Sequence, residues 1–275
     1  MVVTIKLSNG VGNNMFQYIF GRLLAEHHGA KLVFNCPFDY YGLKFFDDLG
    51  IKIKRGRNVV FRQEPVDLNS LFFPCNSDIN LNGYFEDYRI YINHLDKIGS
   101  WFRCCYPKNV NDLVLHMRLG DRLLYKVSYE DGMNVDCRTF SKVIRSMSFN
   151  NLYIVTDMKI WDYVTPDQVR FMQFHVDVPE SMRVDARISA DYFNSLVEEF
   201  KSFSPIVRCN NKLSDDFNFI RSFNNIIFQH STFAWWAAAL SNASKVGVYK
   251  LWRPSKGNKN KNLGDTNYPG WFGWR

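Results

Sequence analysis

The stretch Leu115-His116-Met117-Arg118-Leu119-Gly120-Asp121, near the middle of the chain, holds the residue types best suited to chemistry. The apolar run 113–115 ahead of it reads as a buried strand and Gly120 breaks the pattern, so the polar residues fall at a strand's C-terminal lip. In open α/β sheets ligands bind outside that lip, where strands end and loops begin. An arginine there presents a planar fork of donors whose charge no ordinary pH removes, which suits a phosphate or diphosphate. His116, two residues earlier, points to the same side of the strand, and the two read together as an anion cradle. Taken alone, a His-x-Arg at a strand end serves as often as a surface ion pair or a satisfied edge histidine.

Its company changes that balance. Residues 152–156 form a second apolar run that leads into Asp157, and 226–229 a third that leads into His230, Ser231 and Thr232 before a helical pattern. Ser231 and Thr232 are good helix caps, and the N–H groups at a helix start attract anions, although a Ser-Thr cap needs no ligand. Trp235 and Trp236, further along that helix, read as core. At the N-terminus, residues 2–7 read as a strand, followed by Gly10-x-Gly12 and a helical pattern over 14–28. The two glycines let the backbone approach a ligand, and Asn13 and Asn14 are natural N-caps. The third glycine of a dinucleotide fingerprint is missing and the next strand, 31–35, ends without its acid, so a plain capped turn and a ligand contact stand level here.

The elements that must position these groups alternate. After strand 31–35 come a short helix over 41–49, short β-like pieces at 51–54 and 59–61, a strand with a glycine kink over 79–85 and a helix over 86–98. The second half continues with strand 113–117, helix 137–146, strand 152–156, helix 158–163 and strand 171–175. Helix 190–200 follows with Phe193, Leu196, Val197 and Phe200 on one face, then helix 213–223, strand 226–229, helix 232–240 and a last strand at 246–249. Strands separated by helices predict α/β architecture with parallel, doubly wound sheets. Three polar strand ends in one such sheet converge on one edge. A boundary between two domains is expected near 104–111, dividing the chain into 1–105 and 106–275.

Composition narrows the classes. The chain has 275 residues, 46% hydrophobic and 16% aromatic, which is a folded globular protein and not a disordered one. Its start alternates straight into a strand pattern and its longest clearly apolar block, 233–240, is far short of a bilayer span, so neither a secretory leader nor a membrane helix is expected. Six cysteines show no Cys-x-x-Cys spacing, which predicts neither a zinc site nor a disulfide framework and points to a reducing cytoplasm. The net charge of +7 fits an anionic ligand. Lys250, Arg253, Lys256, Lys259 and Lys261 fall in a stretch without an acid: a solvated tail, a peripheral membrane contact or a grip on an anionic polymer.

Taken together, the motifs resemble the bacterial and viral branch of the α-1,2-fucosyltransferases, glycosyltransferase family 11. That family opens with Gly-Gly-Leu-Gly-Asn-Gln-Met-Phe-Gln-Tyr, and residues 9–18 here read Asn-Gly-Val-Gly-Asn-Asn-Met-Phe-Gln-Tyr. Its His-x-Arg-Arg-Gly-Asp is similar to His116 through Asp121, and its Ser-Ser-Phe-Ser-Trp-Trp to Ser231 through Trp236. Residues 81–85 echo its Gly-Tyr-Trp segment, and Thr156-Asp157 its Ser-Asp-Asp. Leu119 stands where the family has its second arginine, and Arg122 where it has a tyrosine.

The resemblance implies a GT-B-like fold, two Rossmann-like domains with mostly parallel sheets facing a central cleft. The acceptor would lie on the 1–105 side and GDP-fucose on the 106–275 side. It implies inverting transfer of L-fucose from GDP-β-L-fucose to a glycan hydroxyl, often the 2-hydroxyl of galactose. Arg118 would hold the diphosphate with Ser231 and Thr232. His116, Asp157 and Phe233 would complete the donor site, and Gly12, Asn13 and Asn14 the acceptor side. The acceptor hydroxyl needs a base; Asp121 is nearest to Arg118, with Glu130 and Asp131 on the following loop, while Asp121 equally suits orienting Arg118 or His116. Rival readings are the same architecture with another nucleotide sugar or linkage, and a non-enzymatic basic module for an anionic polymer; no nucleic-acid motif is present.

Departure of GDP puts charge on the β-phosphate, and something cationic must meet it. Many nucleotide-sugar enzymes use a metal held by Asp-x-Asp, yet no two acids in this chain stand at that spacing. Arg118 and the helix start after Ser231 would take the metal's part, with no metal and no cofactor. Chelator-stripped protein is therefore expected to turn over GDP-fucose as fast as untreated protein, and revival only by added divalent cation would refute this.

Overall fold

A computed structural model describes residues 1–37, 40–56, 59–63, 65, 67–74, 76–102, 106–119, 137–157, 186–209, 211–229, 231–249 and 268–274. The chain forms two compact units. Unit 1 comprises Met1–Cys105, Trp235–Leu240 and Arg253–Gly270; unit 2 comprises Tyr106–Ala234, Ser241–Trp252 and Trp271–Arg275.

Unit 1 is built on four parallel strands, β1 (Val2–Lys6), β2 (Lys31–Asn35), β3 (Arg62–Gln63) and β4 (Ile79–Asn82), in the order β2-β1-β4-β3. β1 lies between β2 and β4 and is covered on both faces, so Val3, Thr4 and Ile5 are all buried. Helix α1 (Val11–His27) buries most of its circumference. Its Phe16 packs on Tyr91, Trp235 and Trp236, and its Phe20 stacks on Phe85 at 4.4 Å. Both tryptophans are buried among these rings, as helix core. Helices α2 (Gly42–Asp48), α3 (Tyr88–Tyr91) and α4 (Leu95–Trp101) complete the unit.

Unit 2 carries six parallel strands, β5 (Asn109–Met117), β6 (Leu152–Thr156), β7 (Ile206–Arg208), β8 (Phe223–Phe228), β9 (Lys245–Tyr249) and β10 (Phe272–Trp274), in the order β10-β9-β8-β5-β6-β7. The helices are α5 (Cys137–Arg145), α6 (Ala186–Glu199), α7 (Leu213–Arg221) and α8 (Thr232–Ala239), the last passing into unit 1 at Trp235. β5 is central, and its alternate residues serve two faces. Leu113, Leu115 and Met117 join Phe140 and Ile144 of α5 and Leu196 of α6 in one core, while His116 meets Phe233.

Several boundaries differ from the sequence expectations, each for a physical reason. α1 starts at Val11 on a Gly10 N-cap without a side-chain cap, so Asn13 and Asn14 lie inside the helix and cap nothing. The left-handed residue in that turn is Asn9 (φ 62°), and Gly10 has an ordinary φ of −70°. Residues 51–54 form no strand; Arg55 makes a single bridge to Phe34, and pairing with β4 begins at Arg62. The helix expected over 86–98 is broken, because Asp87 takes the Arg89 N–H and starts α3 afresh, and a 3₁₀ turn (Ile92–His94) precedes α4. β5 starts four residues early: Asp112 accepts from Asn109 Nδ2 and from both nitrogens of Asn151, so polar side chains stabilise a stretch that reads as loop. β7 and β10, three residues each, are extra edge strands, so 246–249 is not the last. The expected helix 158–163 and strand 171–175 lie outside the described residues.

Among the described residues no helix is long and apolar enough to cross a membrane, and Cys36, Cys137 and Cys209 are free thiols. Leu119, one residue past Arg118, is fully buried in the core of unit 2. Truncation to Leu119→Ala should cost about 2–5 kcal/mol in urea denaturation. Removing the exposed Lys52–Asp47 pair (3.2 Å) by Lys52→Ala should cost under about 1 kcal/mol.

Candidate functional site

In unit 2, the three strands whose sequences run into polar residues are neighbours. β5 pairs with β6 on one side and β8 on the other, in a register that sets Met117 beside Thr156 and His116 beside Phe228. Each strand runs into polar residues as its ladder ends, where side chains can reach water or a ligand. His116 is buried, its ring centroid 5.8 Å from that of Phe233, which in turn meets Phe217 of α7 at 5.6 Å. Phe233 thus backs the histidine. Arg118 is half-buried and directly follows Met117, the last residue of β5.

The next residue points the other way. The Leu119 side chain enters the core, and its N–H donates to Asp157 Oδ1 at 2.8 Å. Asp157 thereby ties the end of β6 to the end of β5. Ser231 is the N-cap of α8: its Oγ accepts the Ala234 N–H at 3.3 Å, and Thr232 is the first helical residue. The first turn of α8 contains no acid, so its positive end is not offset by its own side chains. A guanidinium and a capped helix start on one lip can hold an anion. Asp121, Glu130, Asp131 and His230 lie outside the described residues.

Unit 1 has a second polar lip, at the end of β1, where the chain runs through α1 to β2 on one side and later returns to β4 on the other. Gln17 organises it: its Oε1 accepts from Ser8 N and Asn14 Nδ2, and its Nε2 donates to Ser8 Oγ and Gly83 O, at 2.8–3.0 Å. Asn14, fully buried, also donates to Ser8 O and Tyr40 OH. The Tyr40 and Tyr41 hydroxyls both donate to Asn9 O, and Asn9 Nδ2 donates to Tyr84 OH. Burial pushes the Tyr40 phenol above its ordinary value, so it stays a neutral donor at physiological pH, and burial likewise raises the Cys36 thiol beyond β2. Asn13, half-buried, donates to Glu86 Oε1 at 3.1 Å.

Of the three residues expected on this side, Gly12 and Asn14 are buried supports and Asn13 lies at the lip. Tyr40, Tyr41 and Glu86 at this lip were not expected there: a lone Glu after an aromatic run carries no local signal, Tyr41 reads only as the start of the helix over 41–49, and Tyr40 precedes it. A separate groove of about 300 Å³ along the β3 edge, lined by Arg62, Gln63, Leu71, Phe73 and their neighbours, contains none of the residues of the two lips.

No protein-family model matches the chain, and no curated protein matches it significantly.

The lip of unit 1 makes one position sensitive. A Cβ added at Gly42 would lie 2.4 Å from Asn14 Oδ1 and 3.0 Å from the Tyr40 ring. Helix propensity alone favours alanine there by about 1 kcal/mol. The clash should outweigh it, so Gly42→Ala is expected to lower the melting temperature, with a rise instead showing that the network yields freely.

Proposed function

We propose that the chain is an inverting glycosyltransferase of GT-B type that moves L-fucose from GDP-β-L-fucose to a sugar hydroxyl, forming an α-1,2 linkage. The reading is carried by one observation: β8, β5 and β6 are adjacent and in register, which brings Arg118, Asp157 and the Ser231-capped start of α8 to a single sheet lip. In this reading unit 2 holds the donor and unit 1 the acceptor. Two parallel-sheet units, each with a polar lip beyond a central strand, support it.

The residues divide the work on physical grounds. As the bond between the anomeric carbon and the β-phosphate oxygen breaks, its electron pair leaves on GDP and charge grows on the phosphate. Arg118, aimed by a rigid strand and by the Asp157 tie behind it, meets that charge without reorganising. The N–H groups opening α8 add their partial positive charge, Thr232 supplies a hydroxyl, and Ser231 fixes the helix start. His116, backed by Phe233, shapes the floor.

Two departures from the resembled family fit as well. Leu119 replaces its second arginine, and that side chain faces the core, where an unpaired charge would be costly. Asn9 replaces a glycine at a left-handed position (φ 62°), the backbone state that asparagine tolerates best after glycine. The free thiols among the described residues, Cys36, Cys137 and Cys209, agree with a reducing, cytoplasmic setting.

Titration calorimetry with GDP, ADP and UDP, followed by a panel of nucleotide sugars and glycan acceptors, tests the reading. GDP should bind in preference to the others, and Arg118→Ala should lower turnover by roughly 10²- to 10³-fold. Failure to bind GDP, or full activity of Arg118→Ala, would overturn it.

A further inference from the structure

The described helices of unit 1 lie to one side of its sheet. Gly21 of α1 comes so close that a Cβ there would lie 2.7 Å from Ile5 Cγ1 and 3.1 Å from Leu32 Cδ1, which makes the Ile5 face the helix face. The neighbouring pieces join α1 on that side: Phe46 of α2 meets its Tyr18, Tyr91 of α3 its Phe16, and Trp101 of α4 lies under its Arg22. Side chains alternate along a strand, so Thr4, Lys6, Lys31 and Val33 belong to the opposite face.

That second face is crossed by the chain itself. Arg55 bridges Phe34 on the outer edge of β2, while Arg62 pairs with Leu81 at the far edge of the sheet, so the backbone passes from one edge to the other between them. Gly56 shows over which face: a Cβ there would lie 2.7 Å from Val33 Cγ2 and 3.9 Å from Thr4 Cγ2. Val59 and Val60 lie on this crossing and are 38% and 89% exposed.

Positive charge surrounds the two valines. From Leu49 to Gln63 the sequence has five bases and no acid. Lys54, whose carbonyl takes the Phe34 N–H, is exposed, as are Lys31 at the start of β2 and Lys6 at the end of β1. The register sets Lys6 and Lys31 four residues apart along the strands, about 13 Å, on the same face. Among the described residues none of these three lysines is in an ion pair. Asp78, just ahead of β4, accepts the Val2 N–H at 2.8 Å, and the face keeps a cationic excess.

Charge and exposure together select the partner. A second copy of the same face would bring like charges together. An anionic polymer would meet the lysines and leave the valines in water. An anionic bilayer meets both, with phosphates for the lysines and the acyl boundary for the valines. We propose that this face of unit 1 docks on an anionic lipid bilayer, with Lys6, Lys31 and Lys54 against the headgroups and Val59 and Val60 at the acyl boundary. Such docking is independent of what either polar lip binds.

The test is sedimentation of the whole chain with vesicles of phosphatidylcholine, with or without phosphatidylglycerol, at low and high salt. The chain should sediment with the anionic vesicles alone, and salt should release it. Lys6→Gln, Lys31→Gln and Lys54→Gln together should weaken binding about 10²-fold, roughly fivefold for each charge, whereas arginine at the same three positions should keep it. Val60→Ser should weaken binding to vesicles and leave retention on heparin unchanged. Lys256→Gln, Lys259→Gln and Lys261→Gln together should still bind, which separates this face from the basic tail. The proposal is overturned by a chain that ignores anionic vesicles, by binding that survives loss of the first three lysines, or by binding lost with the three of the tail. An unchanged affinity of Val60→Ser for vesicles assigns the face to an anionic polymer and overturns it as well.

Discussion

Two hydrogen bonds hold the places on which everything else depends. Where β1 ends, the Ser8 N–H is taken by Gln17 Oε1 at 3.0 Å, and just past the end of β5 the Leu119 N–H is taken by Asp157 Oδ1 at 2.8 Å. A central strand of a covered parallel sheet has its backbone satisfied by neighbours until the ladder stops, and the next buried N–H must find another acceptor. In both units a side chain supplies it. The chain is thereby fixed at the point where it turns from apolar to polar, and the side chains beyond are aimed by a rigid frame.

From that constraint the two lips acquire different characters. In unit 2 the groups that follow are a guanidinium and a helix start, which suit negative charge. In unit 1 they are amides, phenols and one carboxylate, which suit hydroxyls. The difference comes from which residues the fold sends outward. Arg118 and Leu119 are adjacent, yet one is half-buried past the end of β5 and the other completes a core with Phe140 and Ile144. Asn13 and Asn14 are likewise adjacent, and only Asn13 reaches the lip, since the helical turn sends Asn14 inward beneath Tyr40.

Much of the frame was legible because burial on both faces writes itself as uninterrupted apolar sequence. β2 and β6 fall where the runs 31–35 and 152–156 predict, and the parallel pairing of β5, β6 and β8 follows from the intervening helices. The edges were not legible, because β7 and β10 are three residues long and carry no periodicity. Nor was the early start of β5, where Asp112 and Asn109 bond to neighbouring backbone and side chains in a stretch that looks like loop. For the site, the charge of Arg118 and the cap at Ser231 could be read from residue type alone. The partner of Asn13 could not, since Glu86 lies 73 positions away in sequence.

Neither unit is encoded by one uninterrupted stretch. Trp236, at the far end of the chain, is fully buried against Phe16 and Tyr91, and so belongs to the body formed by the first hundred residues. A recombination joint placed between codons 105 and 106 would separate that ring from its partners and leave both products short of core. The boundary in the fold is thus not a boundary in the sequence, and neither half of the chain carries a complete unit.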